Sequence, residues 1–463
     1  MTSIQEVSQH ASQSSCWITI NGEAYDVTNF LDNHPGGKQV ILKLAGSDAT
    51  ESFEQVHSKD LLLKYKDHIP KIGRVEDAVD SETAPQQEEG LSRAQRKRLV
   101  RVINIDDFEA AAQTILSPKH FAFFKAGADS EIATRWNARS WDAIRFRPRI
   151  LKPVSQIDIS ANIFGSNFSA PFFIAPAGGG KFAHRQGEVL LTRAAAKYDI
   201  LHWVCNNAGC SQAELADARA PGQALFWQIY AMRDLEITKK EIKQAEVLGY
   251  KGVCLTVDAV QVGKRERDMR FNIEENDPDP DENESTLANS ISATRPAVYD
   301  GFDFASAVAW LKSITNLPIA IKGIQTWEDA LLCMQHGVHP WLSNHGGRQL
   351  DGAPSSAETL LEMREHCPEV LEKCDVIVDG GITRGGDIIK ALSLGARGVA
   401  MGRGFLFALA FGEEGVGKAI RILKHEMEMT MGLLGVSSID QLRPSHVDAR
   451  GLTFAGAATR ARL

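Results

Sequence analysis

The chain has 463 residues, 43% hydrophobic and 24% charged, an ordinary globular composition but longer than one typical core, which predicts two domains. Its formal charge of −8 argues against nucleic acid or an anionic membrane as a main partner, and it has no run of 18 apolar residues to cross a bilayer. The cysteines Cys16, Cys205, Cys210, Cys254, Cys333, Cys367 and Cys374 are odd in number and scattered, so neither a disulfide framework nor a zinc site is expected, and a reducing, intracellular compartment is.

The start, Met1-Thr2-Ser3-Ile4-Gln5-Glu6, has neither a secretory nor an Arg-rich transit pattern, so the chain is expected to begin directly in its first domain, which makes a mitochondrial intermembrane location less favoured. The run His34-Pro35-Gly36-Gly37, followed by His57, reads as a haem clamp. A histidine on a Pro-Gly-Gly turn points one imidazole inward and a second histidine closes the other axial position. Such an iron has no open site for oxygen and passes single electrons. Beyond it, Glu76 to Gln87 is acidic and free of aromatic residues, and Arg93 to Arg101 is basic; together they read as a linker and a solvated helix face.

From there on, short apolar runs alternate with stretches long enough for crossover helices. Eight are counted, at 172–176, 201–205, 225–230, 252–258, 318–322, 341–344, 376–379 and 398–402, which predicts an α/β fold, a (β/α)8 TIM barrel. Polar residues gather at the C-terminal ends of these runs, where such barrels place their sites: Gln228, Tyr230, Thr256, Asp258, Lys322, His345, Asp379 and Arg403. An acidic, Pro-broken excursion from Glu274 to Ser292 is expected to be an unpacked loop. The end, Ala461-Arg462-Leu463, resembles a small-basic-Leu peroxisomal address, so the compartments expected are cytoplasm or peroxisome.

Oxidising an anionic small molecule needs cations for its carboxylate, a base, an electron acceptor and a charge to steady the reduced acceptor. Arg348, three residues after His345, would clamp a carboxylate within reach of the imidazole. Asp258 would orient His345, and Lys322, costly to bury uncompensated, would want an anion such as a reduced flavin ring. Gly380-Gly381 with Arg384, and Gly402-Arg403 after the eighth run, fit a phosphate site built from the last two loops.

Cys16-Trp17-Ile18-Thr19-Ile20, Tyr25-Asp26-Val27-Thr28, Ala45-Gly46 and Phe53 around the histidines resemble the cytochrome b5 domain, a small α+β haem domain, over residues 1–76. After a linker at 77–101, residues 102–463 resemble the FMN-dependent α-hydroxy acid dehydrogenase/oxidase family, through Ser343-Asn344-His345-Gly346-Gly347-Arg348-Gln349-Leu350-Asp351, Pro318 to Gly323, Thr256 to Ala259 and Asp379-Gly380-Gly381. The two together resemble the flavocytochrome branch of that family. The resemblance implies haem b on His34 and His57. It makes His345 the base, Asp258 its partner, Arg348 and Tyr230 substrate ligands and Arg265 a mobile second arginine. Gln228, Thr256, Lys322, Ser343, Asp379, Gly380, Gly381, Arg384, Gly402 and Arg403 would contact FMN, with Pro176, Ala177 and Gly178 of the first turn and Cys205 after the second run.

The activity so implied is oxidation of a small L-2-hydroxy acid to the 2-oxo acid, with electrons passing from FMN to haem and on to a one-electron acceptor such as cytochrome c. A tetramer is the family's usual state. Two rivals stand beside it: a peroxisomal oxidase that reduces oxygen to hydrogen peroxide, and a haem module on a barrel without catalysis. Three departures bear on substrate. Phe123 stands where the family has a carboxylate-binding tyrosine, Gly178-Gly179-Gly180 where it has larger residues, and Asn207 at a usually apolar pocket position. The glycines would enlarge the pocket or let backbone approach the flavin more closely, and the departures together predict a larger substrate with a polar tail.

Overall fold

A computed structural model describes residues 2–34, 38–58, 60–75, 90–274 and 298–452. Pro35-Gly36-Gly37, the acidic part of the linker, the excursion beyond Glu274 and Ala461-Arg462-Leu463 lie outside the described residues.

The first domain is built on an antiparallel sheet of β1 (Ala11–Ser12), β2 (Ser15–Ile20), β3 (Glu23–Asp26) and β4 (Lys71–Arg74), in that order. Period-two alternation on β2 turns Cys16, Ile18 and Ile20 into a core with Val27, Phe30, Leu31, Ile41 and Ile69. His34 ends the short helix Thr28–Asn33, and His57 ends the helix Thr50–Val56. The basic stretch is a helix, Arg93–Arg101, started by a reciprocal Ser92/Gln95 cap, with Leu99 as its buried contact.

A two-stranded pair of β5 (Arg145–Phe146) and β16 (Val447–Asp448) and a hairpin of β6 (Ala161–Ile163) and β7 (Ser166–Phe168) flank the barrel. The barrel strands are β8 (Phe172–Ile174), β9 (His202–Cys205), β10 (Leu225–Ile229), β11 (Val253–Thr256), β12 (Ile319–Ile324), β13 (His339–Leu342), β14 (Ile377–Val378) and β15 (Gly398–Met401). All pairs are parallel and β15 closes onto β8, so each of the eight predicted runs supplies one stave.

Alternation along the strands sorts the barrel interior into two layers. Phe173, Trp203, Phe226, Cys254, Ala320, Trp341, Ile377 and Ala400 form an apolar plug, sealed at one end by Ile163, Phe164 and Phe168 of the hairpin. Two residues further along each strand the same inward face carries Ala175, Cys205, Gln228, Thr256, Lys322, Ser343, Asp379 and Gly402. One layer is a dry floor. The next is a polar bed at the C-terminal mouth, where this architecture puts its chemistry.

Candidate active site

The polar bed opens into a cleft of about 1030 Å³. It runs from Lys322, His345 and Arg403 in the barrel to Phe30, His34, His57 and Tyr65 in the first domain.

Lys322 ends inside the barrel at 7% side-chain exposure, paired with Asp379 at 3.2 Å and donating to Ser343 Oγ at 2.8 Å. Burial pulls its pKa down, but Asp379 and Asp258 outweigh burial and raise it. Lys322 is thus a cation held by Asp379 in the polar bed. Asp379 also accepts from Trp341 Nε1 at 3.0 Å, and its Oδ1 is buried with no partner. Behind this pair, Gln228 donates to Thr256 Oγ1 at 2.8 Å, bracing two strand ends.

His345 Nδ1 lies 2.8 Å from Asp258 Oδ1. Asp258 would be raised by burial, yet His345, the hydrogen bond between them and Lys322 hold it below the usual carboxylate range. His345 is lowered, first by burial and then by Lys322 and Arg265, against the opposing pull of Asp258. The dyad is thus a neutral imidazole whose Nδ1–H faces a carboxylate, leaving Nε2 as a free base. His345 takes φ +58, a left-handed conformation rare for a side chain of its size. Gly323 at φ +111 lets β12 approach the dyad, because a Cβ there would meet Asp258 Cβ at 2.8 Å.

Three arginines line the cleft with the imidazole. Arg348 donates to the carbonyls of Phe123 (2.9 Å) and Ala126 (2.7 Å) and lies 5.4 Å over the Phe123 ring. Arg265 reaches Gln349 Oε1 at 3.3 Å while its Nε is buried without a partner, and Arg403 donates to Gly346 O at 2.7 Å. Burial, then mutual repulsion, pushes Arg348 well below the usual arginine value. Such a group of desolvated guanidiniums is built for an anion. The Tyr230 phenol lines the same space; burial raises its pKa, so it stays protonated and can donate.

Pro176, Ala177, Gly178, Cys205, Gly380, Gly381 and Gly402 all line the cleft, and a Cβ at Gly402 would meet nothing within 4 Å. Arg384 is not among these lining residues; its guanidinium pairs at 2.7 Å with Asp106, which is. The three glycines of the first turn need correction. A Cβ on Gly178 would come within 2.8 Å of the Asn207 carbonyl, one on Gly179 within 3.0 Å of Phe182, and one on Gly180 within 2.8 Å of the Glu188 carboxyl. They admit neighbouring protein and do not enlarge the pocket. Cys205 is buried and pushed up to about 12, so it is a thiol whose sulfur accepts from Asn207 N rather than a nucleophile.

Residues absent from the sequence reading complete the site. Asn137 and Asn344 exchange side-chain hydrogen bonds at 2.8 and 2.7 Å, locking the helix Ile132–Asp142 against the His345 loop. Gln349 donates to the Asp258 carbonyl at 2.9 Å. Glu188 accepts from Gly180 N at 2.9 Å beneath the first turn. Gln349 lay inside the motif already noted; nothing in the sequence marked Asn137.

In the first domain the His34 and His57 ring centroids are 5.9 Å apart with planes at 78°. His57 is pulled down to about 4 by burial and then by His34, so it is neutral at physiological pH, as a metal ligand must be. Phe30, Val40, Val56, Leu61 and Tyr65 line the slot around them. A neutral His57 beside His34 in an apolar slot fits a haem; the unpartnered Asp379 Oδ1, Lys322 and the glycine-lined mouth beside Arg403 fit a flavin nucleotide.

Residues 3–76 match the cytochrome b5-like haem/steroid-binding domain, and residues 112–449 match the FMN-dependent dehydrogenase model. The chain belongs to the FMN-dependent dehydrogenase family. It is 41% identical over 456 residues to an L-lactate dehydrogenase (cytochrome) of Wickerhamomyces anomalus, covering 96% of this chain and 79% of that protein. A peroxisomal (S)-2-hydroxyacid oxidase of Arabidopsis thaliana is 38% identical over 360 residues, 75% of this chain and 96% of the relative. A mutant flavocytochrome b2 solved with pyruvate bound superposes with a TM-score of 0.70 at 35% identity, over 78% of this chain and 93% of that one. The family member described here is an FMN- and haem b-dependent oxidoreductase of 2-hydroxy acids. When bound, FMN takes two electrons from the substrate and haem carries them onward singly.

Proposed function

We propose that His345 is the base that takes a proton from a small L-2-hydroxy acid, that Asp258 orients and steadies it, and that Arg265, Arg348 and Tyr230 hold the substrate carboxylate. The observation that carries this reading is the 2.8 Å His345–Asp258 dyad set among desolvated arginines in one cleft with two haem-facing histidines. Lys322, Asp379, Ser343, Gly380, Gly381, Gly402 and Arg403 would hold FMN. Arg403 and the glycines suit a phosphate, and Lys322 would steady negative charge on the ring.

The full-length relatives named as cytochrome-linked L-lactate dehydrogenases favour a one-electron protein acceptor such as cytochrome c over oxygen. The filled space beside Gly178, Gly179 and Gly180 favours a short substrate of lactate's size, while Asn207 leaves one polar wall. The test is anaerobic titration with L-lactate, glycolate and L-2-hydroxy acids bearing longer polar tails, following flavin bleaching and reduced haem bands together. Bleaching by L-lactate followed by haem reduction is expected. Bleaching without haem reduction would support the oxidase; longer acids outrunning lactate would restore the roomier pocket.

A further inference from the structure

Residues 257–265 join β11 to the helix Glu266–Glu274 and carry neither helix nor strand, yet they deliver two of the groups the chemistry needs, Asp258 near one end and Arg265 at the other. Such a stretch has no ladder of its own to fix it, so its geometry comes from what it touches. Much of that contact is Gln349. Its Nε2 donates to the Asp258 carbonyl at 2.9 Å and to the Gln261 carbonyl at 2.8 Å, while its Oε1 accepts from Gly263 N at 3.2 Å and from an Nη of Arg265 at 3.3 Å. One carboxamide thus spends both donors and both lone pairs on a single loop. The backbones meet as well, since a Cβ on Gly263 would run into the carbonyls of Arg348 and Gln349.

Two arginines of this region are partnered differently. Arg267, in the first turn of the helix, has a carboxylate: its Nε and an Nη donate to the two oxygens of Glu131 at 3.1 and 2.8 Å, a bidentate pair that fastens the helix to the start of Ile132–Asp142. Arg265 has an amide. Its Nε is buried without a partner, and the neutral Oε1 of Gln349 gives the guanidinium a direction without taking up its charge. The Asp258 end depends less on this side chain, because Val257 N donates to the Lys322 carbonyl at 2.9 Å and continues the ladder between β11 and β12.

We propose that Gln349 is the positioning residue for Arg265: its carboxamide holds the 258–265 loop so that the guanidinium faces the substrate carboxylate, and its neutrality keeps that charge available to the substrate. This rests on the reading that Arg265 holds the carboxylate. Gln349 takes no proton and acts through Arg265.

The test uses full-length protein carrying both cofactors, with Gln349→Met, Gln349→Glu, Arg265→Met and the double variant Gln349→Met/Arg265→Met. Two readouts are taken: the Kd of oxalate from its perturbation of the oxidised flavin spectrum, and anaerobic flavin bleaching over a series of L-lactate concentrations. Gln349→Met is expected to weaken oxalate binding and raise the half-saturating lactate concentration by about tenfold each, with the limiting bleaching rate within about threefold of the parent. Gln349→Glu, which sets a carboxylate against Arg265, should weaken oxalate at least as much. In the Arg265→Met background the Gln349→Met change should add less than about twofold, because no guanidinium is left to orient. Parental oxalate binding in the Gln349 variants would overturn the proposal, as would an undiminished further loss in the Arg265→Met background. Where Gln349→Met does not fold, Gln349→Glu takes its place in both backgrounds. Parental oxalate binding and bleaching in Arg265→Met itself would overturn the underlying reading, and the proposal with it.

Discussion

His345 and Asp258 are 87 positions apart in sequence, and their side chains meet at 2.8 Å because the ends of β13 and β11, on either side of β12, deliver them to one side of the barrel mouth. The carboxylate is 3% exposed and the imidazole 20%, so the partner is sealed and the base faces the cleft. Replacing His345 by Gln should slow flavin bleaching by about 10²- to 10⁴-fold, the usual share of a general base. Stopped-flow absorbance under anaerobic conditions measures it; a loss below tenfold would remove His345 from the role.

The base must be neutral to act. Because His345 is lowered from the ordinary 6.5, chiefly by burial, the acidic limb of kcat/KM should lie below that value, with activity present above it and lost as pH falls through it. Asp258 is the influence that raises His345, so in Asp258→Asn the limb should move to still lower pH. A limb that stays in place would show the pair does not govern the profile.

Lys322 and Asp379 are both under 10% exposed, and breaking such a pair leaves one charge buried alone. Asp379→Asn or Lys322→Met should cost about 3–5 kcal/mol of stability, seen as a drop in Tm, and reduce bound FMN in the purified protein. Full flavin content with an unchanged Tm would contradict the pairing.

Phe123 offers Arg348 a ring face and a carbonyl but no hydroxyl. Restoring one in Phe123→Tyr should tighten binding of a short 2-hydroxy acid by about 1.5–3 kcal/mol, read as a lower KM with a smaller change in kcat. An unchanged KM would mean that Arg265 and Tyr230 already satisfy the carboxylate.

His57 binds its proton in the folded domain only near pH 4, against 6.5 for an ordinary histidine. The unfolded chain therefore takes up protons first, and the stability this site contributes is full above pH 6.5 and lost as pH falls toward 4. Thermal melts of the haem-free protein between pH 7 and 4, followed by far-UV circular dichroism, should show that decline, and in the loaded protein His57→Ala should abolish haem reduction while flavin bleaching persists.

Much of this was legible in the sequence because fully buried parallel strands read as unbroken apolar runs, and the polar residue closing each run marks the mouth. Cys205, Gln228, Thr256, Lys322, Ser343 and Asp379 share one layer through plain alternation. What stayed hidden depends on where chain neighbours fold back. Arg384 follows the Gly380-Gly381 loop, yet its guanidinium is engaged by Asp106, from a distant helix. Gly178 to Gly180 look like empty space until Asn207, Phe182 and Glu188 are seen to fill it. Asn137 has no local signature, since its partner Asn344 is 207 positions away.

The aromatic floor of the barrel, Trp203, Trp341, Phe226 and Phe173 under the hairpin residues Phe164 and Phe168, has a consequence for assembly and traffic. A barrel stoppered at one end has a single doorway, and here that doorway is roofed by Leu61, Lys64 and Tyr65 of the haem domain. Flavin, substrate and product would therefore share that one opening, beneath or beside the haem-domain wall.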